Sequence, residues 1–391
     1  METIEALLSL SSPEFETNLS QVVDHMINSG NISNFGSIAT QFMSTTWQRH
    51  GKLAMTTLSS SISKGIYGDE LIELSEQILE SIKNHHHSPP FDEADHILRE
   101  ALFEAYISNG DYSSAAQILS LVNMESNTRP FTDEEKANIW IKCAEASLAD
   151  EECAAAEAYL NKASSIMGSI KEKQLVMRYK VTYAKVLDMN KKFSEAALKY
   201  YEISIIDDIS IDQNDLLSLL GNAITCAILA KAGPRRSRIM GLVCKDNRTQ
   251  ALTNAPILLK MHRAELLKSD ELKEFEDSLQ SHQKAIVSGG RTILGQAIME
   301  HNMIAAARLY DNISLNELGD LLGLDADVSE NLAAKMIAEG RLQASIDQIE
   351  NIIEFQDNAK DSPLLSWDKR IDNVCNLVRD AVLMVETVPK A

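Results

Sequence analysis

A run of three histidines, His85 to His87, is the densest group of metal-binding side chains in the sequence, and Asp92 and His96 follow shortly after it. Imidazole and carboxylate groups can bind zinc when the backbone holds them in a fixed geometry. Ser88 and two prolines follow the run, which indicates a loop, and no cysteine lies nearby. We therefore interpret the run as a solvated loop and predict no metal site.

No catalytic motif is complete in this sequence. A zinc isopeptidase requires His-x-His followed at fixed spacing by Ser and Asp, but counting on from His87 gives Asp95 and Leu98 at those positions. The chain also lacks a glycine-rich phosphate loop and a Gly-x-Ser-x-Gly nucleophile turn. We therefore predict that the protein is not an enzyme, with no catalytic or cofactor-binding residue, no cofactor and no small-molecule substrate.

A compact basic run, Arg235, Arg236 and Arg238, follows Gly233-Pro234, which predicts the start of a helix. Positive charges at a helix N-terminus oppose the helix dipole, so an acidic neighbour would stabilise them. The run has either surface and intramolecular roles or an electrostatic contact with a partner. The sequence leaves both interpretations open.

The chain as a whole is acidic, with 37 Lys and Arg against 57 Asp and Glu and a formal net charge of −20. Such a charge disfavours binding to nucleic acid or to anionic membranes. We expect no transmembrane span because no run of about 18 apolar residues occurs, and no secretory signal at the start of the chain. Five scattered cysteines indicate reduced core residues. The expected location is cytoplasmic and nuclear.

Helical repeats are predicted for the middle of the chain. In three copies, a bulky or sulfur-bearing residue is followed three positions later by Ala and four positions after that by a large residue, which places all three on one helical face. The copies are Tyr112-Ala115-Leu119, Cys153-Ala156-Leu160 and Phe193-Ala196-Tyr200. A longer helix is predicted ahead of each copy, at 91–108, 132–149 and 170–189, and two further helices at 256–268 and 270–284. Stacked hairpins of this kind predict a right-handed solenoid like that of tetratricopeptide repeats.

Residues 291–356 predict a winged helix. An apolar helix from Ile293 leads to Ser314, which opens a short helix ended by Gly323, and Gly340 ends a second helix. Alternating apolar residues then predict a two-stranded wing. Between Ser314 and Phe355 there are nine acidic residues and two basic ones, so a phosphate backbone would be repelled. We predict that the wing edge binds a protein partner. Its residues are Leu342, Ala344, Ile346, Ile349, Ile353 and Phe355.

A final helix is predicted near the end of the sequence, with apolar side chains every three or four positions. They include Trp367, Ile371, Val374, Val378, Val382 and Val385. The helix either folds back on the winged helix or enters a bundle with helices of other chains. An apolar stripe of this length favours the bundle.

Several short motifs resemble the PCI family of scaffold proteins, which occur in the proteasome lid, the COP9 signalosome and translation initiation factor 3. These motifs are Cys226-Ala-Ile-Leu-Ala-Lys-Ala-Gly233-Pro-Arg-Arg-Ser-Arg238, His282-Gln-Lys-Ala285, Glu300-His301-Asn302, Leu309-Tyr310-Asp-Asn-Ile313, Glu339-Gly-Arg341, Ile346-Asp-Gln-Ile349 and Trp367-Asp-Lys369. The resemblance implies an all-α-dominated fold in four parts. They are a helical-repeat arm over 1–190, the helical part of a PCI domain over 191–290, its winged helix over 291–356 and a bundle helix over 364–387.

The motifs are most similar to the signalosome branch of that family, and this resemblance implies the function. It implies a non-catalytic scaffold subunit of the complex that removes Nedd8 from the cullins of cullin-RING ubiquitin ligases. The implied partners are other signalosome subunits, of the PCI and metalloprotease families, and cullin-RING ligases, with no nucleic acid and no membrane. In that family winged helices pair edge to edge, terminal helices form a bundle and the repeat arm contacts substrate. Two alternatives stay open: a scaffold subunit of the proteasome lid and a winged-helix nucleic-acid binder.

Overall fold

Two compact units make up the chain, residues 1–190 and residues 191–391. The computed structural model describes residues 12–28, 35–43, 51–84, 91–125, 130–206, 212–287, 290–355, 367, 370–371 and 373–379. Helices dominate both units, so the predicted fold class of helical repeats with a winged helix is confirmed. Within these residues, no helix combines the length and the apolar character needed to cross a bilayer.

The first unit consists of helices in its described residues. They are α1 (Ser12–Asn28), α2 (Phe35–Phe42), α3 (Gly51–Gly65), α4 (Asp69–Asn84), α5 (Asp92–Asn109), α6 (Tyr112–Ser120), α7 (Asp133–Ala149), α8 (Cys153–Ser164) and α9 (Lys173–Met189). Helices α1 to α5 share one apolar core, in which Phe35, Phe42 and Met55 are almost fully buried. At the start of α7, Thr132 and Glu135 form the capping box that satisfies the first free N–H groups of that helix.

The repeat pattern places its residues as the sequence predicts. Its three copies lie in α6, in α8 and in α10 (Phe193–Ser204), the first helix of the second unit. The central Ala and the last large residue of each copy are buried. They are Ala115, Leu119, Ala156, Leu160, Ala196 and Tyr200. Because Ala has no side chain beyond Cβ, it lets the neighbouring helix approach closely, as α6 does between α5 and α7.

The second unit continues with further helices in its described residues. They are α11 (Gln213–Leu229), α12 (Pro234–Cys244), α13 (Ala255–His262) and α14 (Lys273–Ser278). The helices predicted over 256–268 and 270–284 are both wrong in extent. The first ends at His262, and Ala264 then takes a left-handed backbone with φ 57°. The second is broken by Leu279, which is extended, and the backbone N–H of Gln280 donates to Gln283 to begin a separate 3₁₀ turn.

A winged helix follows a short hairpin of β1 (Ile286–Val287) and β2 (Arg291–Thr292). Its elements are α15 (Ile293–Leu309), β3 (Asn312–Ser314), α16 (Leu315–Leu322), α17 (Ala326–Ala338), β4 (Ala344–Asp347) and β5 (Ile352–Phe355). The predicted two-stranded wing is β4 and β5, but the sheet has three antiparallel strands in the order β3-β5-β4. The sequence did not reveal β3 because its three residues are too few for an alternating pattern and Ser314 also caps α16.

Some predicted features fall outside the described residues. They are the His85 to His87 run and the last apolar positions of the final helix, Val382 and Val385. Among the cysteines, Cys143 and Cys226 are buried as expected, whereas Cys375 is exposed. The expectation of five core cysteines is therefore wrong for Cys375, which lies on the exposed C-terminal helical segment.

Candidate functional site

Residues from three of the PCI-like motifs meet in one buried polar cluster of the second unit. Glu300 and His301 lie in α15, Arg236 lies in the first turn of α12, and Arg341 follows α17. Glu300 is 1% exposed, His301 2% and Arg236 4%. The cluster therefore connects the helical part of this unit to its winged helix through charged groups in the interior.

The carboxylate of Glu300 is the centre of this cluster. Arg341 donates from Nη1 to Oε2 at 2.5 Å and from Nη2 to Oε1 at 3.3 Å. The backbone N–H of Ala232 donates to Oε2 at 3.2 Å, and Gln296 donates to Oε1 at 3.1 Å. Two-pronged Arg–carboxylate pairing is among the strongest hydrogen-bonded geometries in proteins. Through Glu300, the segment after α17 that contains Arg341 and the loop after α11 that contains Ala232 are both tied to α15.

Arg236 and His301 form the second part of the cluster. Arg236 donates from Nη1 to the carbonyl oxygen of Ala230 at 3.1 Å, and its Nη2 lies 3.4 Å from Nδ1 of His301. Nε2 of His301 lies 2.9 Å from the carbonyl oxygen of Glu265. Since a carbonyl can only accept, Nε2 carries the proton and Nδ1 accepts from Arg236. One neutral tautomer of His301 satisfies both contacts.

Protonation states in the cluster follow from burial and from charge. Burial lowers the pKa of His301 to about 4, and the positive charge of Arg236 acts in the same direction, so the imidazole is neutral at pH 7. Burial also lowers the pKa of Arg236, to about 10, which leaves it protonated. Burial raises the pKa of Glu300, but hydrogen bonds from Arg341, Gln296 and Ala232 outweigh it and the net pKa is lowered. Glu300 is therefore a carboxylate.

Asn302 adds a third anchor beside these two. Its Oδ1 accepts from the backbone N–H of Leu267 and its Nδ2 donates to the carbonyl oxygen of Leu267, each at 3.0 Å. The motif Glu300-His301-Asn302 thus holds two backbone segments on α15, Ala232 after α11 and residues 265–267 after α13, together with the side chain of Arg341. Because its polar groups are engaged with one another and with backbone, we interpret the cluster as a structural joint that orients the winged helix.

The basic run does not act as a unit. Arg235 and Arg238 are exposed, whereas Arg236 is buried in the joint, which is the intramolecular role that the sequence left open. The physical reason is helical geometry, because Arg236 lies on a different face of α12 from Arg235 and Arg238, and that face is buried against a carbonyl and an imidazole. Contact of the exposed arginines of the run with a partner stays a prediction.

The predicted wing-edge residues are mostly used inside the winged helix. Leu342, Ile353 and Phe355 are buried in its core, and Ala344 and Ile346 pack against that core. Ile349, at the tip of the wing, is 93% exposed. Strand β4 is at the edge of the sheet, so its outer backbone groups are open to a partner, and Ile349 is the exposed member of the predicted set. Binding at this edge stays a prediction.

The C-terminal helical segment presents an apolar face to solvent. The exposed fractions are 62% for Trp367, 52% for Ile371, 59% for Val374 and 57% for Val378. Leu377, which the predicted set did not include, is 69% exposed and lies beside this face. Exposed apolar patches of this kind mark interaction sites in soluble proteins.

Comparison with known proteins gives the family. A model of the PCI domain matches residues 259–357, and a model described as PSMD12/CSN4, N-terminal, matches residues 79–212. COP9 signalosome complex subunit 4 of Arabidopsis thaliana is 40% identical over 295 residues, 74% of this chain and 74% of the relative. The same subunit of Dictyostelium discoideum is 35% identical over 331 residues, 85% and 82% of the two chains, and that of Drosophila melanogaster 37% over 285 residues, 73% and 69%.

The chain belongs to the COP9 signalosome subunit 4 family. The PCI match covers α15 to β5 and therefore includes Glu300, His301 and Arg341 of the joint. Proteins of this family are PCI scaffold subunits of the non-catalytic type. That class agrees with a site in which charged residues hold two subdomains together.

Proposed function

We propose that this chain is a non-catalytic scaffold subunit of the COP9 signalosome, in the cytoplasm and nucleus, and that it supports the removal of Nedd8 from cullins. The observation that carries the proposal is the 40% identity to the Arabidopsis subunit over three quarters of both chains. The exposed edge of β4 and the apolar face around Trp367 support it, because an assembly subunit needs such surfaces.

We propose further that the first unit contacts the cullin-RING substrate. Residues 1–190 contain 14 Lys and Arg against 27 Asp and Glu. An acidic surface attracts basic regions of a partner and speeds their association. This charge supports contact with a basic substrate surface and disfavours the nucleic-acid alternative.

The experiment is purification of the tagged full-length chain under native conditions, followed by mass spectrometry of its partners. We expect the other signalosome subunits in stoichiometric amounts, and we expect the purified complex to release Nedd8 from a neddylated cullin. Recovery of proteasome-lid subunits would favour the alternative scaffold, to which the shared N-terminal family model also points. Recovery of neither set would contradict the scaffold function itself.

A further inference from the structure

A cavity of about 570 Å³ lies in the second unit beside the buried joint. Its walls are the start of α10, the end of α11 with the loop after it, the first turn of α12, and parts of α15 and α17. The cavity is large enough for several amino-acid side chains and falls within the usual range of ligand sites, about 300 to 1,000 Å³.

Its rim is basic although the protein is acidic. Five basic residues line it, against two acidic ones, Glu195 and Glu300. The basic residues are Lys191, Lys192, Lys231, Arg235 and Lys335, all of them exposed, and we call this cavity the basic groove. Glu300 is already paired with Arg341, so its charge does not compensate the rim.

Four of these cations have no ionic partner in the part of the chain that the structure describes: Lys191, Lys231, Arg235 and Lys335. Outside the groove some basic residues pair with carboxylates, as in Lys142–Glu100 at 2.6 Å and Lys260–Glu271 at 2.7 Å, whereas others among the described residues, such as Arg238 and Lys245, do not. The distinguishing feature of the groove is that four unpaired cations surround one cavity, an arrangement that favours an acidic ligand from outside.

The floor of the groove is apolar, and this feature favours an acidic peptide over a small free anion as the ligand. Phe193, Leu229, Ile293 and Ala297 line it, each less than 8% exposed. A free phosphate-type anion gains nothing from such a floor, since it needs polar donors on every side. A peptide satisfies both features, because its carboxylates pair with the rim while an aliphatic or aromatic side chain covers the floor.

We propose that the basic groove receives an acidic peptide segment of another subunit of the complex, with at least two carboxylates at the rim and one apolar side chain on the floor. This deepens the scaffold function proposed above and rests on it. It adds a side-chain contact between subunits that is separate from the edge of β4 and from the apolar face around Trp367.

The test compares the free chain with the assembled complex purified through it. A carbodiimide joins lysine amines directly to carboxylates in contact with them, and an acetylating reagent measures how reactive each lysine is. In the complex we expect Lys231 and Lys335 to become protected from acetylation and to cross-link to Asp or Glu of one partner segment. Lys245, which is exposed and outside the groove, should react equally in both samples.

A matched pair of variants adds an affinity measurement. Lys231→Glu with Arg235→Glu should weaken binding to the remaining subunits at least tenfold. Lys245→Glu with Lys268→Glu makes the same change of net charge at two exposed positions outside the groove and should leave the affinity within twofold of the wild type. Equal melting temperatures of the two variants would show that both fold.

Other results overturn the proposal in distinguishable ways. If the chain assembles but the groove lysines stay reactive and uncross-linked, the groove is not an interface, whereas the scaffold function stands. Cross-links only to the chain's own carboxylates, or protection of the free chain by tripolyphosphate alone, would replace the partner peptide with an internal segment or a small anion. Failure to assemble with any signalosome subunit would remove the proposed function and this inference with it.

Discussion

Burial of Glu300 disfavours its carboxylate form, whereas pairing with the positive charge of Arg341 favours it, and the pairing with Arg341 prevails. A carboxylate that is 1% exposed has lost its water, and the two Arg341 hydrogen bonds replace much of that solvation. Removing one member of a buried pair leaves the other charge uncompensated, which costs about 3 to 5 kcal/mol. We therefore expect Arg341→Met to lower the free energy of unfolding of the second unit by that amount.

Urea titration monitored by hydrogen exchange of the α15 amides measures this change where it occurs. Arg238→Met is the matched control, because Arg238 is exposed, and its effect should stay within about 0.5 kcal/mol. A loss below about 1 kcal/mol in Arg341→Met would mean that the ion pair contributes little to holding the winged helix.

His301 gives the joint a dependence on pH. Its pKa is about 4 in the folded protein, against about 6.5 in an unfolded chain, so the unfolded state binds the proton more readily between these values. The contribution of neutral His301 is therefore fully present above pH 6.5 and is lost as the pH falls towards 4. The difference corresponds to about 3 kcal/mol.

The expected result is a fall in unfolding free energy between pH 6.5 and 4.5 that His301→Gln reduces, because Gln offers a donor and an acceptor but does not titrate there. Circular dichroism in urea at each pH measures it. Above pH 4.5 Glu300 contributes little to this slope, because its pKa is lowered from 4.5. The control is His262→Gln at an exposed position, and an identical slope in both variants would exclude His301 as the cause.

Residue types alone predicted part of this site. The motif Glu300-His301-Asn302 was visible in the sequence only through its resemblance to a family, and the inward direction of Arg236 was not visible at all. Both depend on which backbone carbonyls and charges meet after folding. The basic groove escaped prediction for the same reason, since its lysines come from segments as distant as Lys191 and Lys335.

At the scale of elements, each copy of the repeat pattern is preceded by a turn in which one residue has a left-handed backbone. It is Gly110 with φ 82° in the first copy, Glu151 with φ 60° in the second and Lys191 with φ 61° in the third. Such a backbone costs a residue other than glycine about 1 kcal/mol or more. We therefore expect Glu151→Gly to stabilise the α7–α8 hairpin by about 0.5 to 1 kcal/mol, net of the greater freedom of glycine when unfolded.

Hydrogen exchange of amides in α7 and α8 reports this gain as slower exchange. Glu151→Ala removes the same carboxylate but keeps a Cβ, so it should show no comparable gain. Gly110→Ala should lose about 1 kcal/mol in the α5–α6 hairpin, where nothing lies within 4 Å of the added Cβ and only the backbone is strained. If Glu151→Ala stabilises as much as Glu151→Gly, charge rather than backbone conformation is responsible.

Helices that follow from the spacing of residues along the chain were predictable from the sequence. Elements that depend on contacts with distant parts of the chain were not. The repeat helices follow from spacing along the chain, and Ala115, Ala156 and Ala196 are all buried as that spacing requires. Strand β3 forms because β5 pairs with it, with Ile313 opposite Ile353. The three residues of β3 alone do not predict this pairing. The break at Leu279 likewise depends on a turn rather than on helix propensity, which remains high across the region.

At the scale of the whole molecule, the strand edge and the apolar helical face are two different kinds of exposed surface that we propose for assembly. A strand edge such as β4 pairs through backbone groups, which favours any extended partner, whereas an apolar helical face selects a partner by shape. The combination gives a subunit both affinity and specificity. If the basic groove binds a peptide as proposed, the acidic charge of the chain also requires neighbouring subunits to contribute basic groups elsewhere and carboxylates at the groove.

The apolar face around Trp367 should be essential for assembly if it enters a bundle. Ile371 and Val374 lie on this face, so Ile371→Asp with Val374→Asp would bury two carboxylates in an apolar interface, at a cost of several kcal/mol (about 2 or more for each). We expect co-purification of the other signalosome subunits to be lost, as measured by quantitative mass spectrometry of the tagged chain.

Asn373→Asp with Asn376→Asp adds the same charge on other faces of the same turns and should assemble normally. Normal assembly of the first variant would show that the exposed face is not an interface, and loss of assembly in both would attribute the effect to added charge.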